Sequence, residues 1–180
     1  MSCSCACKSG GLSMSLIMKR NSVREFLDKP IPSDLVTKLL TSGMQAPSAN
    51  NQQPWEFIVV DDRDILNELI KTSNGARPLT TATLCIIPMI KPGDKSPLFN
   101  VQDLSAATTN ILLEATNLGL GGVWIGVYPD PVRYEHIEKV LNITGDIHPF
   151  CMLAIGYPKN IRPIVKKYDE SKIHYNKWGK

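Results

Sequence analysis

At 180 residues, with 43% hydrophobic and 21% charged residues, the chain has an ordinary globular composition and can bury a sizeable core. Its 20 basic and 17 acidic residues give a net charge of +3 with no Lys/Arg run longer than two, which argues against a nucleic-acid binder. No stretch approaches the ~18 apolar residues of a membrane span, and the N-terminus lacks the charge and apolar core of a signal peptide, so a cytoplasmic location is expected.

Residues 1–13 are small and polar and read as a disordered leader ahead of a single domain over residues 14–180. The leader carries Cys3, Cys5 and Cys7, whose spacing fits neither tetrahedral zinc nor Fe–S ligation, so no metal is expected. Residues 14–19 read as a short helix and residues 29–34 as a turn. Ser33 or Asp34 is the expected N-cap of a helix striped by Leu35, Val36, Leu39, Leu40 and Met44. Trp55–Val60 is aromatic and β-branched and reads as a buried strand. A helix over residues 61–72 and a strand over residues 83–90 follow, then a loop over residues 91–100 containing Pro92, Gly93 and Pro97. Residues 104–118 form the strongest helical pattern, with Leu104, Ala107, Ile111, Leu112, Ala115 and Leu118 on one side. Gly119 to Gly122 end it. A strand over 123–128, a helix opening at Pro131, a strand over 150–157 and a polar basic tail complete the chain. Helices and strands intermix, which predicts an α+β or α/β fold with a central sheet. Cys85 and Cys151 lie in apolar runs and read as inert core thiols.

Two segments carry most of the chemical information. Arg20-Asn21-Ser22-Val23-Arg24 puts two guanidinium groups and a hydroxyl on one short stretch, a set suited to an anion such as phosphate. Ala46-Pro47-Ser48-Ala49-Asn50-Asn51-Gln52-Gln53-Pro54-Trp55 is a polar turn between an apolar helix and an apolar strand, able to meet the donor and acceptor edge of a planar heterocycle. His136, His148 and His174 have no nucleophile or zinc spacing beside them and read as structural or surface residues. The Gly119–Gly122 region lacks the dinucleotide fingerprint, so a Rossmann site is not expected.

With Gly119-Leu-Gly-Gly-Val-Trp124-Ile125-Gly126 and Gly156-Tyr-Pro158 followed by Lys166-Lys167 and His174-Tyr-Asn-Lys-Trp178, these segments come in an order that resembles the FMN-dependent nitroreductase family over residues 15–178. The resemblance implies an α+β fold, a central mixed or antiparallel sheet flanked by helices, in an intertwined homodimer with FMN at the interface. It implies that Arg20, Asn21 and Ser22 serve the phosphate and ribityl end, with Lys166 or Lys167 as a second phosphate cation. Arg24 would reach the ribityl chain and the N1–O2 edge of the ring. Pro47, Ser48, Asn51 and Gln53 would come from the partner subunit. The backbone of Trp124, Ile125, Gly126 and Val127 would lie beside the ring's pyrimidine and N5 edge.

The implied activity is oxidation of NAD(P)H and reduction of a small electron-poor acceptor, a nitroaromatic or quinone, with no essential protein acid or base. A flavin-binding protein without turnover and a reductive dehalogenase of the same family are the alternatives. The chain departs from the family pattern in having Asn21 where Arg or His is usual and a Lys pair where Arg is frequent. It also lacks a long lid insertion, which leaves residues 71–80 and 91–102 to shape the mouth of the site.

Overall fold

The structure, a computed structural model, describes residues 15–91 and 95–179; the expected leader and its three cysteines lie outside the described residues. Five strands form one antiparallel sheet: β1 (Trp55–Val60), β2 (Leu84–Ile90), β3 (Gly121–Gly126), β4 (His148–Pro149) and β5 (Cys151–Gly156). The order is β1-β2-β5-β3, with the short β4 also on β2.

Both faces of the central strands are buried, which is why β2 and β5 read as unbroken apolar runs. Along β2, Cys85, Ile87 and Met89 enter one core while Leu84 and Ile86 enter the other; along β5, Met152 and Ala154 oppose Cys151, Leu153 and Ile155 in the same alternation. The first core is roofed by α3 (Arg63–Ile70) and α5 (Pro131–Leu141), through Leu66, Leu69 and Ile137. The second is roofed by α2 (Ser33–Met44) and α4 (Asn100–Asn117), through Leu39, Leu104 and Ile111. The short α1 (Leu16–Lys19) precedes them. The result is the expected α+β architecture, a sheet flanked by helices.

Several boundaries differ from the sequence expectation for physical reasons. The N-cap of α2 is Pro32, with no side-chain cap; Asp34 is in the first turn, paired with Lys38 at 3.6 Å. Trp55–Val60 is an edge strand rather than a fully buried one, with Glu56 and Val59 exposed. The segment expected to be a loop to residue 100 contains a 3-10 turn at Pro97–Phe99, and α4 begins at Asn100, four residues earlier than its apolar stripe suggests, because Asn100 and Asp103 are buried polar residues. The third strand starts at Gly121, not Val123, since the two glycines are paired with Gly156 and Ile155.

The end of α4 positions that strand. Gly119 takes φ +74°, and Leu120 N–H donates to Ala115 O at 2.8 Å while Gly119 N–H donates to Thr116 O at 3.2 Å. This is a Schellman turn, and it releases the chain directly into β3.

Candidate functional site

β3 is the last strand of the sheet, so its outer edge would be unpaired were it not for residues 20–26. Val23 N–H donates to Gly122 O at 3.1 Å, and a parallel bridge joins Ser22 to Gly122. Further on, Leu27 N–H donates to Tyr157 O at 2.9 Å and Lys159 N–H to Glu25 O at 3.0 Å. The Arg20–Arg24 stretch is therefore laid against the β3 edge by backbone bonds. A Cβ on Gly121 would come within 2.6 Å of Val23 Cγ2, so this close approach requires glycine.

The cover ends at Gly122. Backbone groups alternate along a strand, so Gly122, Trp124 and Gly126 all face outward. Gly126 O accepts from Arg133 Nη1 at 2.9 Å, and Arg133 is itself paired with Asp130 at 2.9 Å. Among the described residues, no loop or side chain bonds to the Trp124 backbone. A free donor and acceptor edge is thus left where the sequence expectation put backbone groups beside a ring.

Two pockets meet at Arg24. One, of ≈ 350 Å³, is lined by Arg20, Asn21, Ser22, Arg24, Arg162 and Lys167. None of its four cationic side chains named here forms an ion pair among the described residues. The other, of ≈ 530 Å³, is lined by Arg24, Thr72, Ser73, Trp124, Gly126 and Arg133. Three buried polar atoms have no hydrogen-bond partner within the described residues: Asn21 Oδ1, Thr72 Oγ1 and Ser73 Oγ. Each belongs to a residue lining one of these pockets, and an orphaned buried polar atom costs about 1–3 kcal/mol.

The structure brings Arg20, Asn21, Ser22, Arg24 and Lys167 together, and Trp124, Ile125 and Gly126 with Arg24. Lys166 lines neither pocket, nor does Val127, whose side chain is buried. Pro47, Ser48, Asn51 and Gln53 also line neither. They form a separate turn in which Ser48 Oγ accepts from Gln53 N–H at 3.0 Å, with Asn50, Asn51 and Gln53 at φ near +50°. Sequence reasoning missed Arg162, Thr72 and Ser73 as lining residues. No periodicity marks them, although Thr72 and Ser73 both fall in the 71–80 stretch expected at the mouth.

Two of the histidines, His136 and His148, reach neighbouring elements, while His174 is exposed. His148 Nδ1 lies 2.6 Å from Glu138 Oε1, and His136 Nε2 lies 3.1 Å from Glu68 O. No cluster of metal-ligating side chains occurs among the described residues, and no helix there is long and apolar enough to cross a membrane. Cys85 and Cys151 are buried free thiols, and burial pushes both above the ordinary thiol range.

The chain is thus an antiparallel sheet with helices on both faces and a cationic groove along one edge strand. The nitroreductase family profile matches residues 17–76 and 72–157, and the chain belongs to that family. It is 36% identical over 170 residues to an Archaeoglobus fulgidus protein provisionally named NADH dehydrogenase/NAD(P)H nitroreductase, spanning 92% of this chain and 98% of the relative. A crystal structure from Clostridium acetobutylicum, provisionally described as an NADH oxidase, superposes with TM-score 0.88 at 38% identity over 91% of this chain and 100% of that one. An FMN-dependent nitroreductase from Clostridium difficile superposes with TM-score 0.85 at 28% identity, over 92% of this chain and 100% of that one.

Proposed function

We propose that two copies of this chain form an FMN-dependent oxidoreductase that oxidises NAD(P)H and reduces a small electron-poor acceptor, a nitroaromatic or quinone, in the cytoplasm. The observation that carries the reading is Arg24, shared by a cation-lined pocket and a pocket bounded by a free strand edge. FMN has the matching shape: a dianionic phosphate at one end and a flat ring with an amide-like edge at the other.

The residues present fit that group. Arg20, Ser22, Arg162 and Lys167 would hold the phosphate, with guanidinium groups donating in a planar fork and Lys167 as a point charge. The orphaned Asn21 Oδ1 is free to accept from a sugar-like hydroxyl. Thr72 Oγ1 and Ser73 Oγ would gain the partners they lack, and the outward-facing Trp124 and Gly126 backbone would meet the ring's polar edge. When bound, FMN supplies the two-electron hydride chemistry that no side chain of the protein can. The protein's part is to orient both substrates in turn against one ring face and to place the Arg24 charge where negative charge gathers.

The turn over residues 47–53 lies outside both pockets, which supports its serving the partner's flavin. The tail from residue 159 onward supports the same arrangement: Ile161, Tyr168, Tyr175 and Trp178 stand at 69–89% exposure, apolar surface suited to a second copy. Titration of the cofactor-free protein with FMN and with riboflavin tests the reading. FMN is expected to bind at least ~10-fold more tightly, because only it carries the phosphate; absence of binding by either flavin overturns it.

A further inference from the structure

Among the described residues, the buried polar side chains are Asn100, Asp103 and Thr108, and the first two belong to one hydrogen-bond network away from the cationic groove. Asp103 is 5% exposed in the first turn of α4. Its Oδ1 accepts from Ala49 N–H at 3.0 Å and its Oδ2 from Gln52 Nε2 at 2.7 Å. The same amide donates toward Asn100 Oδ1 at 3.1 Å and Ser96 O at 3.0 Å, while Gln52 Oε1 accepts from Ser96 N–H at 2.9 Å. Asn50 Nδ2 donates to Ser96 Oγ at 2.7 Å, and Asn100 Nδ2 to Lys91 O at 3.2 Å.

Gln52 thus grips both backbone groups of Ser96 with one side chain and is gripped in turn by Asp103. A partly buried network of this kind favours one geometry, and removing a member leaves its partners unpaired at a cost. The turn over residues 48–53 needs such support, since its backbone places Asn50, Asn51 and Gln53 in the left-handed region. On the other side of the tie, the Pro97–Phe99 turn carries Leu98 and Phe99, 88% and 51% exposed, an apolar pair immediately after Ser96.

We infer that Gln52 and Asp103 are positioning residues for acceptor selection: they lock the 48–53 turn and the Ser96–Phe99 segment into one unit, so that Leu98 and Phe99 stand at a fixed place beside the turn. The inference rests on the proposed function in placing that turn at a flavin. Flat apolar acceptors, such as multi-ring quinones, are the class that such a fixed apolar lip favours over small polar ones.

The test compares kcat/KM for a one-ring and a three-ring quinone, each normalised to bound flavin, in the wild-type protein, Gln52→Glu and the double variant Gln52→Glu/Asp103→Asn. Gln52→Glu sets a carboxylate against Asp103 and removes the donor to Ser96 O. The three-ring to one-ring preference is expected to fall ~10-fold, in line with the cost of a small misplacement. Asp103→Asn restores a donor across the pair but not the one to Ser96 O, so the double variant is expected to recover part of the preference, and no recovery overturns the role of Asp103.

A merely structural role would lower bound flavin and melting temperature while leaving the acceptor ratio unchanged, and that result overturns the inference. If Gln52→Glu does not fold, Gln52→Met removes the same bonds without adding charge and is read against the same ratio. Failure of the wild-type protein to bind flavin instead overturns the proposed function. The lock itself is then read by amide exchange at Ser96, expected to accelerate in Gln52→Met; unchanged exchange overturns the lock.

Discussion

Val23 N–H donates to Gly122 O at 3.1 Å, and this contact joins the two ends of the candidate site. It holds a surface stretch with two arginines against the sheet edge, and it leaves the next outward-facing residue, Trp124, uncovered. Cationic side chains and a free backbone edge are then adjacent by construction.

That contact depends on the missing side chain at Gly121. Gly121→Val is expected to overpack against Val23 at a cost of about 1–3 kcal/mol and to push residues 20–24 off the edge. FMN affinity should fall by at least tenfold, with the fold otherwise retained by far-ultraviolet circular dichroism. An unchanged affinity would mean that the edge contact does not position the arginines.

The two tail lysines are distinguishable. Lys167 lines the cationic pocket and Lys166 does not. Lys167→Ala is expected to weaken FMN roughly tenfold, as for a lost charge-assisted bond, while riboflavin affinity stays the same. Lys166→Ala should change either affinity by less than about twofold. Raising the salt concentration should shrink the Lys167 effect.

Thr72 and Ser73 carry hydroxyls that are buried and unpaired. Thr72→Val removes an orphaned polar atom at nearly constant shape. The cofactor-free protein is therefore expected to melt at a higher temperature, by an amount corresponding to about 1 kcal/mol, while FMN binds more weakly. Calorimetry on the two states reads both signs; weaker stability without flavin would show the hydroxyl to be satisfied already.

Burial raises the Cys85 and Cys151 thiols above their ordinary value of 9.0. A raised value in the folded state means stability is fully present below pH 9.0 and declines as pH rises past it, because the unfolded chain then sheds protons that the folded chain keeps. Urea midpoints are expected to fall as pH rises above about 9, and to fall less in Cys85→Ala/Cys151→Ala. Alkylation of the native protein at about pH 8, read peptide by peptide, should leave both thiols unmodified.

Much of this was legible from residue order. The apolar runs of β2 and β5, the stripe of α4 and the glycines after it gave the helix and strand order, because burial on a sheet and on a helix have different periods. Arg20, Ser22, Arg24 and the Trp124–Gly126 edge stood out by type and sequence order. What stayed hidden depends on tertiary pairing. Arg162 enters the groove because Lys159 pairs with Glu25, a contact between distant segments. Asn100 and Asp103 lie ahead of the apolar stripe of α4, where the pattern marks no helix, and the 48–53 turn returning onto α4 gives their buried side chains partners. Gln52 gave no signal beside Gln53, since either amide suits a polar turn.

The most direct test of the central claim is anaerobic. The purified protein is loaded with FMN, given one equivalent of NADH or NADPH, and then given a quinone. Loss of the yellow flavin absorbance within seconds, followed by its full return on adding the quinone, is the predicted result. Flavin that stays oxidised with both nicotinamides would contradict the assignment as an NAD(P)H-dependent oxidoreductase.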